Sequence, residues 1–212
     1  TRLTWFPGSF SESLLFNGRL FLDLGTKAAF ERTDSFSLSV WAYPTTADTM
    51  TLAYRGKQET ARGSSYELQM ESGNVAFRMV SRWPQNSLQL IAKTPVGLRQ
   101  WSHIVATYDG TSRASGVTVY IDGERAELEV ISDALTHDIG RSGTLRIGHR
   151  ATLEPFRGML DDLRIYPRIL TKTEIVALAN SNQLQQIVAI SPADRTPQQQ
   201  QLLQEYFLRN QD

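Results

Sequence analysis

The 212 residues contain no cysteine, so disulfides, thiolate chemistry and cysteine-ligated metals are all excluded. Histidine is scarce as well. His103, His137 and His149 are the only three, and their spacing matches no zinc site. Charge of one sign is missing: 22 Lys and Arg face 22 Asp and Glu, for a formal net charge of zero. Nucleic acids and anionic membranes recruit a clear basic excess, so neither is expected as the main partner. No apolar run approaches the roughly 20 residues needed to span a bilayer, and membrane insertion is not expected. The start is not signal-like and lacks an initiator Met, which suggests a piece excised from something longer. Gly-x-Ser-x-Gly, the turn that presents a hydrolase serine, is absent. A chain of this length nevertheless buries a sizeable core without staples.

What is present is period-two alternation, repeated and punctuated by turn residues. Phe36-Ser-Leu-Ser-Val-Trp-Ala-Tyr43 places Phe36, Leu38, Val40 and Ala42 on one face and Ser37, Ser39, Trp41 and Tyr43 on the other. Similar runs cover 65–70, 75–80, 88–92, 102–108, 117–122, 128–132, 145–148 and 159–166. Ser72-Gly73-Asn74, Asp109-Gly110 and Asp122-Gly123 are hairpin or tight-turn signals between them. Many short strands at this spacing predict an all-β, two-sheet antiparallel sandwich of the jelly-roll type.

The last quarter reads differently. Thr171-Lys-Thr-Glu174 is a capping box that opens a helix over 172–180, with Asn180-Ser-Asn182 as its exit. Thr196 followed by Pro197 predicts a second helix over 198–208. Leu202, Leu203, Tyr206 and Phe207 form an apolar stripe on that otherwise glutamine-rich helix. The stripe is expected to pack back on the sandwich; the other reading is that it docks on a neighbouring domain. The expected division is a domain over 1–180 and a helical extension or linker over 181–212.

Three segments form a set. They are Phe36-Ser-Leu-Ser-Val-Trp-Ala-Tyr-Pro44; Trp101-Ser-His-Ile-Val-Ala-Thr-Tyr-Asp-Gly110 with Val117-Thr-Val-Tyr-Ile-Asp-Gly123; and Leu145-Arg-Ile-Gly148 with Phe156-Arg-Gly-Met-Leu-Asp-Asp-Leu-Arg-Ile-Tyr166. In this order they resemble the laminin-G-like branch of the concanavalin A-like lectin/glucanase superfamily. The resemblance implies a jelly roll whose first and last strands lie side by side. Phe30-Glu-Arg-Thr-Asp34, Ser81-Arg-Trp-Pro84 and the tail motifs Ile190-Ser-Pro-Ala-Asp-Arg-Thr-Pro197 and Tyr206-Phe-Leu-Arg-Asn210 further resemble the laminin-G-like insert of large planctomycete proteins with cytochrome c-like domains. That likeness implies an exported, extracytoplasmic parent and neighbouring domains as partners.

Glycan recognition uses an aromatic platform flanked by planar polar groups. The cluster of that kind is Arg78, Arg82, Trp83 and Asn86, with Tyr54 and Arg55 reaching the same groove from a separate strand or loop. His149-Arg150 is a rim candidate. The bland alternative is that Trp83 caps the core and the arginines are solvated; Trp41 and Trp101, inside the family motifs, read as structural. The resemblance turns the aromatic and basic cluster into a polysaccharide-binding site of a non-catalytic module, with a spacer between domains as the second reading. Glycan cleavage, the third, needs two carboxylates across a sugar. Its candidates, Asp122, Glu124, Glu127 and Glu129, sit on and after a hairpin turn, and Leu128 stands where the motif requires Asp. Lectin-fold relatives also hold a structural calcium ion where the terminal strands meet, which would put Asp161 and Asn17 on the ion. An inward Asp161 could equally accept turn hydrogen bonds or pair with an arginine. No organic cofactor is expected.

Overall fold

The computed structural model describes residues 3–9, 12–57, 63–150 and 154–209. Its strands in chain order are β1 (Trp5–Pro7), β2 (Glu12–Asn17), β3 (Leu22–Asp23), β4 (Phe36–Pro44), β5 (Met50–Gly56), β6 (Ser65–Glu71), β7 (Asn74–Arg82) and β8 (Asn86–Pro95). They continue with β9 (Ser102–Tyr108), β10 (Val117–Ile121), β11 (Glu124–Arg125), β12 (Leu128–Asp133), β13 (Thr144–Ile147) and β14 (Arg157–Tyr166). Two helices follow, α1 (Lys172–Ala189) and α2 (Pro197–Arg209). The strands form two seven-stranded sheets, ordered β1-β2-β14-β4-β9-β10-β11 and β12-β8-β7-β6-β5-β13-β3. β14 lies antiparallel beside β2, so the early and late strands close the first sheet together, as the jelly roll requires.

Alternation decides which residues fill the space between the sheets. In the first sheet Phe36, Leu38, Val40 and Ala42 of β4 and Ile104, Ala106 and Tyr108 of β9 point inward. In the second, Tyr66, Leu68 and Met70 of β6 meet Val75, Phe77 and Met79 of β7. Phe36 stacks on Phe30 with centroids 4.6 Å apart, and Tyr66, Phe77 and Tyr108 close around it. Hairpin chemistry fixes this register. Ser72-Gly73 and Asp122-Gly123 both adopt positive φ at two successive positions, the turn whose twist matches antiparallel strands.

The strands that alternation does not reveal differ in cause. Every residue of β5 is buried, so its sequence Met-Thr-Leu-Ala-Tyr-Arg-Gly carries no polar face to alternate with. β1, β3 and β11 are only two or three residues long.

The outer face of the first sheet is covered by α1. Val105 packs with Leu170 and Ile175, flanked by Tyr120, Tyr166 and Leu178. The capping box at Thr171 and Glu174 forms as expected. The expected exit at 180–182 does not, and the boundary at 180 falls inside a helix that runs on to Ala189. Packing overrides the weak helix propensity of Asn and Ser there: Leu184 and Ile187 extend the apolar side of α1 and meet Leu203, with Leu202 beside them. That part of the α2 stripe therefore faces α1 rather than the sandwich; the side chains of Tyr206 and Phe207 lie outside the described set. No helix among the described residues is long and apolar enough to cross a membrane.

On the same outer face His103 is 1% exposed, its Nε2 2.9 Å from Ser39 Oγ and its ring 5.1 Å from that of Trp41. Burial, with Arg164 nearby, pushes its pKa down to about 4. Below about pH 6.5 the unfolded chain binds a proton that the folded imidazole refuses, so stability should fall by roughly 3 kcal/mol as pH drops from 6.5 toward 4. Urea denaturation at pH 7.0 and 4.5 should show a smaller loss for His103→Gln than for wild type; equal losses would contradict this.

Candidate functional site

The second sheet turns its other face away from the core, and that face is polar and yet largely buried. Cross-strand register lines up Asp23, Arg146, Tyr54, Glu67, Arg78 and Gln89 in one row running from β3 to β8. Glu67, Gln69 and Glu71 alternate along β6 with the inward Tyr66, Leu68 and Met70. Glu67 and Gln69 have no exposed surface, and Gln89 has 4%. Isolated charges at such depth are costly, so these groups must satisfy one another.

They do so as one network. Arg78 donates to Glu67 Oε1 at 3.1 Å and to Glu71 Oε1 at 2.6 Å. Arg150 comes from the β13–β14 connection, with its guanidinium 3.5 Å from Glu67 and 3.5 Å from Glu154. The Gln69 amide nitrogen lies 2.8 Å from both Glu67 Oε2 and Glu154 Oε2, and the Gln89 amide lies 3.2 Å from Glu71. Burial pushes the Glu67 carboxyl up, with Arg150 and Arg78 opposing it.

Above this network sits Trp83, half-buried, its ring 4.8 Å from the Arg78 guanidinium carbon. The structure thus brings two of the expected site residues, Arg78 and Trp83, into contact. Tyr54 lies in the same row, under Arg150 at 5.8 Å, with its hydroxyl donating to the Lys57 carbonyl at 3.1 Å. Burial raises the Tyr54 pKa, so the group is a neutral donor. Arg82 is exposed at the end of β7, opposite Asn86 on β8. The Asn86 side chain accepts from Thr136 N–H at 3.2 Å and His137 N–H at 3.1 Å, which pins the connection after β12. Its polar atoms are engaged within the fold.

Arg55 requires a correction. Adjacent strand residues face opposite ways, so with Tyr54 on the polar face Arg55 points to the other side. It is 2% exposed and donates to the carbonyls of Lys27 at 3.0 Å and Arg141 at 2.6 Å. It is a structural residue there. His149 and Arg150 divide: Arg150 joins the network, while the His149 ring stacks near Phe21 at 5.5 Å. Trp41 is buried at 8% exposure and Trp101 packs on Tyr43 at 5.6 Å.

The expected metal pair does not converge. Asn17 is registered with Arg157, four positions along β14 from Asp161, which is about 13 Å of strand. Asn17 Oδ1 instead accepts from the backbone of Arg19 at 3.0 Å and Leu20 at 3.3 Å. Among the described residues no group of three or more His, Asp or Glu side chains is placed to hold a metal. This pair does not fit a shared calcium ion. Of the carboxylates named as cleavage candidates, Asp122 accepts from the His103 N–H at 2.7 Å and Glu124 pairs with Lys172. Glu127 and Glu129 are exposed at the edge of the second sheet, and Glu127 pairs with Lys93.

Glu67, Gln69, Glu71, Gln89 and Glu154 were not among the expected site residues. On β6 the outward positions read Glu-x-Gln-x-Glu, which in sequence is the pattern of an ordinary solvated face. A separate open groove of about 650 Å³ lies between the sheet edges, lined by Leu90, Ala114, Val117, Leu128, Val130 and Asp133 among others. Its lining also includes Ser115, Arg125 and Glu127, and it shares no residue with this network.

A family model for concanavalin A-like lectin/glucanases matches residues 21–176. The chain belongs to that superfamily. The match spans β3 through the first turn of α1 and leaves most of the helical hairpin outside. Domain 4 of AbnA, an extracellular arabinanase of Geobacillus stearothermophilus solved with arabinotriose, superposes with a TM-score of 0.64 at 22% identity, covering 84% of this chain and 82% of that one. The sialidase CBM40 of Ruminococcus gnavus, bound to α2,3-sialyllactose, gives 0.65 at 14% identity over 79% and 95%. The binding domain of Paraclostridial Mosquitocidal Protein 1 gives 0.62 at 19%, over 85% of this chain and 46% of that chain. No curated protein sequence matches the chain. At these identities the superfamily likeness establishes the jelly roll and leaves the site to be argued from its own residues.

Glu67→Ala should destabilise the domain by about 3 kcal/mol, because two largely buried guanidinium groups lose the carboxylate between them. Glu67→Gln, which keeps the volume, should cost less. Urea denaturation of both variants checks the order; equal, small losses would show that the network does not depend on Glu67.

Proposed function

We propose that this domain is a non-catalytic carbohydrate-binding module, and that glycan lies on the polar face of the β5–β8 sheet with Trp83 as its aromatic platform. The observation that carries this reading is the Trp83–Arg78 stack set on a polar floor whose side chains are linked by ion pairs and hydrogen bonds. An amphipathic sugar ring needs both: an indole for its C–H face and fixed polar groups for its hydroxyls. The floor is pre-organised, because each of its long side chains is held by at least one ion pair or hydrogen bond before any ligand arrives. Solved domains of similar shape support the reading, since their structures hold arabinotriose and sialyllactose.

Two features favour binding over cleavage. Glu67, the deepest carboxylate, has no exposed surface from which to reach a glycosidic bond. It is also engaged by Arg78 and Gln69, while the exposed Glu127 is paired with Lys93. We place the module in an exported, extracytoplasmic multidomain parent, in keeping with the extracellular arabinanase whose domain it resembles. The α1–α2 hairpin, mostly outside the matched residues, is where neighbouring domains of such a parent would join.

A glycan array probed with wild type and Trp83→Ala tests this. Binding should fall by about tenfold or more in the variant, equivalent to about 1.4 kcal/mol, with little change in Tm because Trp83 is only half-buried. Loss of Tm without any glycan binding by wild type would favour the spacer reading, with Trp83 a packing residue.

A further inference from the structure

Resting on the reading of this face as a glycan site, we propose that it takes neutral, hydroxyl-donating glycans and rejects those carrying carboxylate or sulfate. At first sight the arginines beneath Trp83 suggest the reverse, since guanidinium groups are the usual partners of anionic sugars. Their pairing removes that option. Arg78 is held between Glu67 and Glu71, and Arg150 between Glu67 and Glu154. Three carboxylates thus meet two guanidinium groups. The cluster carries one negative charge when all are ionised and none when Glu67 is protonated. In neither state is positive charge left over for a ligand.

Accessibility points the same way. The arginine side chains are 11% and 8% exposed, whereas Glu71 and Glu154 are 21% and 26% exposed. A ligand approaching the floor therefore meets acceptors before donors. The two buried glutamines use their donors inside the network. Gln69 and Gln89 turn their amide nitrogens toward carboxylates, and each leaves its carbonyl oxygen without a donor. The acceptors a sugar hydroxyl can reach are the partly exposed carboxylates of Glu71 and Glu154. An anionic ligand would bring further acceptors and a repelled charge. Arg82 is exposed at the rim, as is Lys57 at the end of β5, and such solvated cations hold an anion weakly and in a salt-sensitive way.

The test is an array of neutral cello-, xylo-, manno- and arabino-oligosaccharides beside oligogalacturonate, 3′-sialyllactose and heparin oligosaccharides, run at 50 and 500 mM NaCl. Wild type should bind at least one neutral series about tenfold or more tightly than any acidic one, with an affinity unchanged by salt. Glu71→Gln/Glu154→Gln, which leaves Arg78 and Arg150 with one carboxylate between them, should shift preference toward the acidic ligands; Glu71→Gln alone should do so partly and serves if the double variant fails to fold. Wild-type binding that is strongest for an acidic ligand and weakens with salt would overturn the charge assignment while leaving a glycan site in place. Binding to neither class would overturn both.

Discussion

The carboxylate of Glu67 has no surface in contact with water, and an ion in that position persists only while Arg78 and Arg150 stay beside it. Much of the second sheet's outer face follows from this requirement. Arg78 must keep its register on β7, which places it beneath Trp83. Arg150 must be carried back over β6 by the connection between β13 and β14, which draws Glu154 in with it. Gln69, between the two carboxylates, closes the arrangement. A face that would otherwise be a solvated strand surface becomes a rigid polar floor.

The two sheets solve their outer faces differently. On the first sheet α1 lays Leu170 and Ile175 over Val105, and His103 is sealed in its neutral form beside Ser39 and Trp41. On the second the cover is made of long polar side chains and one indole. A ligand needs polar groups held in place and accessible from one side, and only the second arrangement offers them. The groove between the sheet edges, lined by Arg125, Glu127 and Asp133 beside Leu90 and Val117, shares no residue with that floor.

The jelly roll was legible in the sequence because most strands have one core face and one polar face, as in Phe36 to Tyr43, and because Ser72-Gly73 and Asp122-Gly123 mark their own turns. β5 was illegible as a strand because both its faces are covered. The same lack of a local signal explains Arg55: without a visible alternation, nothing in Tyr54-Arg55 says which of the two faces outward. Trp83 and Arg78 stood out as residue types, but their partners did not. Glu71 is seven residues from Arg78, while Glu154 is 76 residues further on, and neither separation is predictable without the register of β6 on β7 and the path of the β13–β14 connection. The helical tail shows the converse, since Asn180 to Asn182 has the composition of an exit, and only the packing of Leu184 and Ile187 against Leu203 explains why α1 continues.

The most direct measurement is an amide and side-chain chemical-shift map of the domain titrated with the neutral oligosaccharide that binds most tightly. Perturbation concentrated at the Trp83 indole N–H, the Arg78 Nε–H and the backbone of β6 to β8 would place the sugar on the polar floor. Perturbation centred instead on Leu90, Val117 and Leu128 at the edge groove, or on α1 and α2, would contradict it.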